Sequence, residues 1–354
     1  MKKRIKVLVV DDSVSVQNVL REILASDQEI EVIATVSDPY EAVTEIARVV
    51  PDVITLDIEM PRMDGLTFLK KLMAQHPIPV VVISSKVGNG SENALKALTL
   101  GAREIITKPK LAKIQEIDEY AIRITDAVKA AAQSNVNRLH SLSSSEMEFN
   151  LTKKLALKHT NSASNKISDH LILIGASTGG TEVISKLLKG LRTDLPGILV
   201  VQHMPGEFTP AFASRLNNES NLKVKEAQDG DVIMKGYVYI ANGFNHLKID
   251  VSENRFICKL EKGDLVNRHR PSVDVLFESA SKLPGHSVTA ALLTGMGADG
   301  AKGLLKLRQL GGRTFAQDEK SSVIFGMPRE AIKLNAAQMI GNPDELVSWI
   351  NSLF

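Results

Sequence analysis

The sequence predicts an α/β protein built from two doubly wound parallel-sheet domains joined by a linker. Three observations carry that expectation. Short β-rich runs alternate with amphipathic stretches from Lys2 to about Gln133. A polar segment follows, and the alternation resumes from Asp169. The chain, at 354 residues, is longer than one hydrophobic core usually serves. Strands alternating with helices make βαβ units, whose parallel sheet is covered by helices.

In the first block, strands are expected at Ile5–Val10, Ile30–Val36, Val53–Leu56, Pro79–Ile83 and Glu104–Thr107. Helical spacing joins Val16, Val19, Leu20, Ile23 and Leu24, and again Leu111, Ile114, Ile117, Ile124 and Val128. Residues 134–167 are rich in Ser, Asn and Lys and show little sustained period, so they read as an interdomain linker with a helical turn near Leu151–Leu157. The expected boundaries are therefore 1–133 for the first domain, 134–167 for the linker and 168–354 for the second domain. In the second domain, strands are expected at Leu171–Gly175, Ile198–Gln202, Val288–Leu293 and Arg313–Ala316. Helices are expected near Thr181–Gly190, Glu207–Asn217 and Ala301–Leu310. Val224–Leu260 is β-rich, with turn signals at Asp229-Gly230 and Asn242-Gly243, and reads as a β-hairpin excursion on the main sheet.

Composition removes several function classes. A formal net charge of +2 gives no reason to expect nucleic acid or an anionic membrane as the main partner. One cysteine, Cys258, excludes an internal disulfide and a thiolate-cluster zinc site, and fits a reducing compartment. The start "MKKRIKVLVVDDS" has a basic end, but its apolar run is stopped by Asp11 and Asp12 before it reaches signal-peptide length. No run approaches the ~20 apolar residues of a spanning helix. A cytoplasmic protein without membrane insertion is expected.

Two constellations carry chemistry. In the first block, Asp11 and Asp12 follow the first strand, Asp57 follows the third, Ser84 ends the fourth and Lys108 follows the fifth. The carboxyl ends of parallel strands share one edge, so these side chains converge there. Three neighbouring carboxylates repel one another unless a hard cation sits among them, and Mg2+ suits oxygen ligands. A carboxylate so placed can accept a phosphoryl group, with Lys108 and the Ser84 hydroxyl binding its oxygens. Singly, each has an ordinary alternative: Asp11 or Asp12 as a helix N-cap, Lys108 as a solvated charge.

The second constellation begins at "LILIGASTGG", residues 171–180. The spacing of Gly175, Gly179 and Gly180 is wrong for a dinucleotide fingerprint, and no lysine completes a P-loop. The remaining reading is a strand-to-helix turn that presents Ser177, although it is not the G-x-S-x-G elbow. The following helix would aim its N–H groups and positive end at the same spot. His203 follows the next strand in "ILVVQHMPGEF", and Asp299 follows another in "LLTGMGADG". His203 alone could be a surface residue, and Asp299 could cap the helix after it. Together they supply a base and its orienting acid at one sheet edge, in a chain order unlike the familiar ones. Glycines around Met296 would let backbone N–H groups approach an oxyanion.

The first block resembles the receiver domain of response regulators. With "GASTGG", "QHMP", "RPSVDVLF" and "TGMGADG", the whole chain resembles the chemotaxis protein-glutamate methylesterase family, response regulators with a C-terminal serine esterase domain. The resemblance implies a flavodoxin-like receiver and a Rossmann-like esterase. It implies Asp57 as phosphoacceptor, Asp11, Asp12, Asp57 and the Glu59 backbone as Mg2+ ligands, and Ser84 and Lys108 as receiver switch and phosphate contacts. It also implies a cis bond between Lys108 and Pro109. It implies Ser177 as nucleophile, His203 as general base and acid, Asp299 as the residue orienting His203, and Thr178 with the Met296 backbone at the oxyanion site. Residues 268–274, "RHRPSVD", would line the same cleft.

The implied reaction is phosphorylation-regulated hydrolysis of glutamate γ-methyl esters, and deamidation of certain glutamines, on methyl-accepting chemoreceptors. A chemotaxis histidine kinase would be the phosphodonor, and no cofactor is expected at the esterase site. One departure stands out: many receivers carry an aromatic switch residue where this chain has Ile105. Two other readings compete: a DNA-binding output domain, which would need a basic recognition helix, and a nucleotide-binding output domain, which would use "GASTGG" as a phosphate loop.

Overall fold

The computed structural model describes residues 3–84, 89–108, 114–134, 166–284 and 287–354. The chain forms two compact units, Met1–Ser162 and Ala163–Phe354. The expected linker (but for its ends), its helical turn and the Lys108–Pro109 bond lie outside the described residues.

The first unit runs β1 (Ile5–Val10), α1 (Val14–Ala25), β2 (Ile30–Val36), α2 (Pro39–Arg48), β3 (Val53–Asp57), α3 (Gly65–Gln75), β4 (Val80–Ser84), α4 (Asn89–Thr99), β5 (Glu104–Thr107) and α5 (Ile114–Gln133). Its sheet has the order β2-β1-β3-β4-β5, every pair parallel. β3 and β4 are buried along their whole length, as expected of strands covered on both faces. Val7, Val9, Leu20, Leu24, Ile83, Ile106, Ile124 and Val128 form one core. Each such fully buried side chain contributes about 1.5–3 kcal/mol. The helices start where polar side chains satisfy their first N–H groups. Asp38 accepts from Tyr40 and Glu41 at α2, and Asp64 accepts from Thr67 at α3. At α1 the cap is Ser13, which leaves Asp11 and Asp12 outside the helix.

The second unit contains β6 (Leu171–Ala176), α6 (Gly180–Gly190), β7 (Gly197–Gln202), α7 (Thr209–Glu219), β8 (Lys223–Glu226), β9 (Tyr237–Ile240), β10 (His246–Ser252) and β11 (Arg255–Glu261). It continues with α8 (Val273–Ala280), β12 (Val288–Leu292), α9 (Ala301–Gln309), β13 (Arg313–Gln317), α10 (Met327–Lys333), β14 (Met339–Gly341) and α11 (Pro343–Leu353). The main sheet has the order β14-β13-β12-β6-β7-β9-β8 and is parallel throughout. Leu171, Leu173, Leu199, Phe277, Leu292 and Leu304 belong to its core.

The β-rich stretch divides differently from the expectation of one excursion on the main sheet. β8 and β9 extend the main sheet as parallel strands, so the Asp229-Gly230 turn, closed by the Asp231 N–H donating to Gln228 O at 3.2 Å, lies within a crossover rather than a hairpin. The hairpin is β10–β11, a separate antiparallel pair. It turns at Glu253 and Asn254, both with positive φ (49° and 59°), as a two-residue hairpin turn requires. Asn242-Gly243 joins β9 to this hairpin, with Asn242 Oδ1 accepting the Phe244 N–H at 2.8 Å. Among the described residues, no helix is long and apolar enough to cross a membrane.

Candidate functional site

In the first unit, register brings the expected side chains together. Val10 pairs with Leu56, Asp57 with Ile83, and Ser84 with Thr107. Asp11, Asp57, Ser84 and Lys108 therefore lie along one carboxyl edge. Ligand atoms of Asp11, Asp12 and Asp57 lie within 4.8 Å of one another. Asp11 and Asp57 are buried and Asp12 is exposed. Lys108 Nζ lies 2.7 Å from Asp57 Oδ2 and 3.2 Å from Asp11 Oδ2. The Glu59 N–H donates to Asp57 Oδ1 at 3.3 Å. Ser84 is fully buried at the end of β4, and its carbonyl accepts the Lys108 N–H at 2.8 Å. Ile105 is buried on β5.

Burial is the largest influence on Asp57 and pushes its carboxyl up to about 6, although Lys108 pulls the other way. Burial raises Asp11 too, against the Ser13 N–H and Lys108. One lysine thus under-compensates the acids. A set of hard oxygen donors carrying surplus negative charge fits a divalent cation such as Mg2+.

In the second unit, Ala176 pairs with Gln202, so Ser177 and His203 leave neighbouring strands side by side. The Ser177 N–H donates to Thr294 O at 2.9 Å, which ties the serine to the strand on its other side. The turn needs Gly179, whose φ of 81° L side chains rarely adopt. It also needs Gly295, where a Cβ would stand 2.6 Å from Ser177 Cβ. Gln202 Nε2 donates to the Ser177 and His203 carbonyls at 2.9 and 3.1 Å, fixing both backbones. Thr294 Oγ1 donates to Thr178 O at 3.0 Å. Met296 lies half-buried in the loop after β12, between Gly295 and Gly297.

His203 Nε2 lies 2.8 Å from Asp299 Oδ2, and both residues are buried. A carboxylate only accepts, so Nε2 carries the proton and Nδ1 is the nitrogen left to act as base. His203 Nδ1 is buried and has no hydrogen-bond partner among the described residues. The structure thus joins His203 to Asp299 directly. It sets Ser177 on the adjacent strand end, with no hydrogen bond between Ser177 Oγ and the imidazole.

Asp299 does not cap the helix that follows it, since the N-cap of α9 is Gly300. Its Oδ1 accepts from Ser272 Oγ at 2.7 Å, Asn267 Nδ2 at 2.7 Å and the Asp274 N–H at 3.2 Å. Its Oδ2 accepts from the Val273 N–H at 2.7 Å as well as from His203. Burial alone would raise this carboxyl. His203, Asn267 and Ser272 outweigh it and hold Asp299 well below the usual carboxylate range. The ring of His269 stacks on His203, with centroids 3.7 Å apart and planes at 14°. Of residues 268–274, His269 thus touches His203, and Ser272, Val273 and Asp274 touch Asp299. Gln202, Asn267 and Thr294 are additions that strand and helix periodicity do not mark.

The chain matches the family model "CheB methylesterase" over residues 172–350 and the model "Response regulator receiver domain" over residues 7–119. It is 48% identical over 345 residues to a protein-glutamate methylesterase/protein-glutamine glutaminase 2 of Oleidesulfovibrio alaskensis, covering 96% of each chain. It is 50% identical over 337 residues to a protein-glutamate methylesterase/protein-glutamine glutaminase 5 of Anaeromyxobacter dehalogenans, covering 95% of this chain and 93% of the other. A crystal structure of the Thermotoga maritima CheB methylesterase catalytic domain superposes with a TM-score of 0.52 at 36% identity, covering 53% of this chain and all of that one.

Proposed function

The chain belongs to the CheB methylesterase family, with a response regulator receiver domain preceding the catalytic one. From that premise we propose that it hydrolyses glutamate γ-methyl esters on chemoreceptors, and deamidates certain receptor glutamines, in the cytoplasm. The observation that carries the reading is the buried His203–Asp299 contact of 2.8 Å beside the strand end that bears Ser177.

In this mechanism Ser177 Oγ rotates toward His203 Nδ1, a contact that forms fully only with substrate in place. The oxygen attacks the ester carbonyl carbon as Nδ1 takes its proton. Asp299 holds the imidazole by Nε2–H and stabilises the imidazolium. Thr178 and the Met296 backbone flank the carbonyl oxygen as it gains charge. One backbone donor at such a position is worth roughly 2.7–4 kcal/mol. The tetrahedral adduct collapses, His203 returns the proton to the leaving methoxide, and methanol departs. Water then attacks the acyl-serine with His203 again as base, releasing the glutamate carboxylate. Deamidation follows the same course with ammonia as the leaving group.

Asp57 accepts a phosphoryl group from a chemotaxis histidine kinase, and the receiver thereby relieves a restraint on the esterase. Asp11, Asp12, Asp57 and the Glu59 backbone would hold Mg2+, which when bound screens the charge of the incoming phosphoryl group. Lys108 and Ser84 contact the phosphoryl oxygens. The domain limits that suit this division are 1–133 and 168–354, with 134–167 between them.

The test is methanol release from membranes bearing methylated chemoreceptors. Wild type should turn over, and a phosphodonor should stimulate it. Ser177→Ala should be inactive, whereas Asp57→Ala should keep its basal rate and lose only the stimulation. Full turnover by Ser177→Ala would refute the reading.

A further inference from the structure

The segment that carries His269 is a two-residue reverse turn. The Val266 N–H donates to His269 O at 3.1 Å, and the His269 N–H donates to Val266 O at 3.0 Å. Both central residues are left-handed, Asn267 with φ 51° and Arg268 with φ 70°. Asparagine tolerates that conformation, but arginine holds it at a cost. Strain of this kind persists only where its surroundings impose it. Here the imposed geometry serves the base. Asn267 Nδ2 donates to Asp299 Oδ1 and to Asp274 Oδ2, each at 2.7 Å, which locks the turn to the acid that holds His203. Two residues on, the His269 ring lies flat against the His203 ring.

Asp299 grips His203 at one atom of its edge. A single in-plane hydrogen bond fixes that atom but leaves the ring free to tilt about it. A parallel ring 3.7 Å away removes the tilt. It also presents a π-face to His203, and a π-face attracts a cation more than a neutral ring. His203 is neutral before the attack and an imidazolium during it, so this attraction is stronger in the transition state than in the ground state.

Resting on the esterase reading above, we infer that His269 is a positioning residue for the general base: its stacked ring fixes the plane of His203 and stabilises the imidazolium formed as Ser177 loses its proton. The aromatic face does this work, so a non-titrating ring substitutes for it and an aliphatic side chain of similar bulk does not.

The test compares His269→Phe and His269→Leu in the full-length protein by steady-state methanol release, with thermal unfolding of each variant alongside. His269→Phe should keep kcat within about threefold of wild type, and His269→Leu should lose about tenfold or more in kcat with KM unchanged. Inactivation of Ser177 by a small fluorophosphonate needs the base but no receptor, and its rate should fall in the same order. Equal rates for the Phe and Leu variants would overturn the inference, and so would a loss that falls on KM alone. If the Leu variant unfolds early, the Phe variant decides: a loss of tenfold or more there also overturns it. Ser177→Ala run in parallel separates the two claims. An inactive Ser177→Ala with unaffected His269 variants sinks only the stacking role, while an active Ser177→Ala sinks the esterase reading itself.

Discussion

Asp274 and Asp299 each cap the helix that begins beside the other. Asp299, just ahead of α9, accepts the first N–H groups of α8 at Val273 and Asp274. Asp274, in the first turn of α8, accepts the Gly303 N–H of α9 at 2.7 Å. Asn267 bridges the two carboxylates, which would otherwise repel each other. The acid that hydrogen-bonds His203 is thus held by the start of α8 rather than by its own loop.

Asp299→Asn should keep the fold and lose activity. An amide oxygen in the place of Oδ1 can still accept from Ser272 and Asn267, but the NH2 in the place of Oδ2 loses the Val273 N–H and, turned toward His203, would demand an unprotonated Nε2. That moves the proton to Nδ1 and removes the base. A loss of about 10^4 in kcat is expected, with KM little changed, as for a triad acid replaced by its amide. Steady-state kinetics together with an unchanged circular dichroism spectrum would check this.

Gly295→Ala should act on Ser177 from behind. The added Cβ would stand 2.4 Å from Met327 Sδ and 2.6 Å from Ser177 Cβ, so one neighbour must shift. Displacing the nucleophile by around an ångström costs about 10^2 in rate. If kcat is unaffected, the turn has more room than its contacts indicate.

The residues that were readable from sequence alone lie where hydrophobic runs end. β6 is apolar throughout and β7 is apolar up to its last residue, Gln202, so Ser177 and His203 stand out as polar residues just past two strand ends at one sheet edge. Asp299 was legible as a candidate, though its alternative as a cap was legible too. The structure shows that it does cap a helix, but one distant in sequence. Asn267 and Ser272 leave no periodic trace, because their contacts depend on a left-handed turn between β11 and α8. The division of 223–261 between two sheets was equally hidden: β8 and β9 have the residue types of hairpin strands, and only their parallel pairing tells them apart. β14, three residues long, is too short to register as a strand by pattern.

Away from the cleft, Glu219 joins α7 to α6. Burial opposes its charge, but the Ser185 hydroxyl, the Arg215 guanidinium and Lys189 prevail and hold its carboxyl at about 2. A carboxyl depressed below its unfolded value stabilises the fold above pH ~4.5, and that contribution disappears as pH falls through about 2. Glu219→Gln should therefore cost about 1 kcal/mol at pH 7, after allowance for solvent screening. The difference from wild type should shrink at pH 3. Urea unfolding followed by fluorescence of Trp349, the one tryptophan, reports on this unit.

Chelation should separate the two sites. Excess EDTA should abolish stimulation by a phosphodonor, since the acidic pocket of Asp11, Asp12 and Asp57 then lacks its cation. The basal rate of methanol release should be unchanged. A basal rate that falls with EDTA and returns with Mg2+ would place a metal requirement in the esterase reaction as well.

The most direct measurement of the central claim is covalent labelling by a serine-directed fluorophosphonate, mapped by peptide mass spectrometry. The account predicts one adduct per chain, on Ser177, with labelling largely lost in His203→Gln. Stoichiometric labelling at another residue, or an unlabelled Ser177 in protein that still releases methanol, would contradict it.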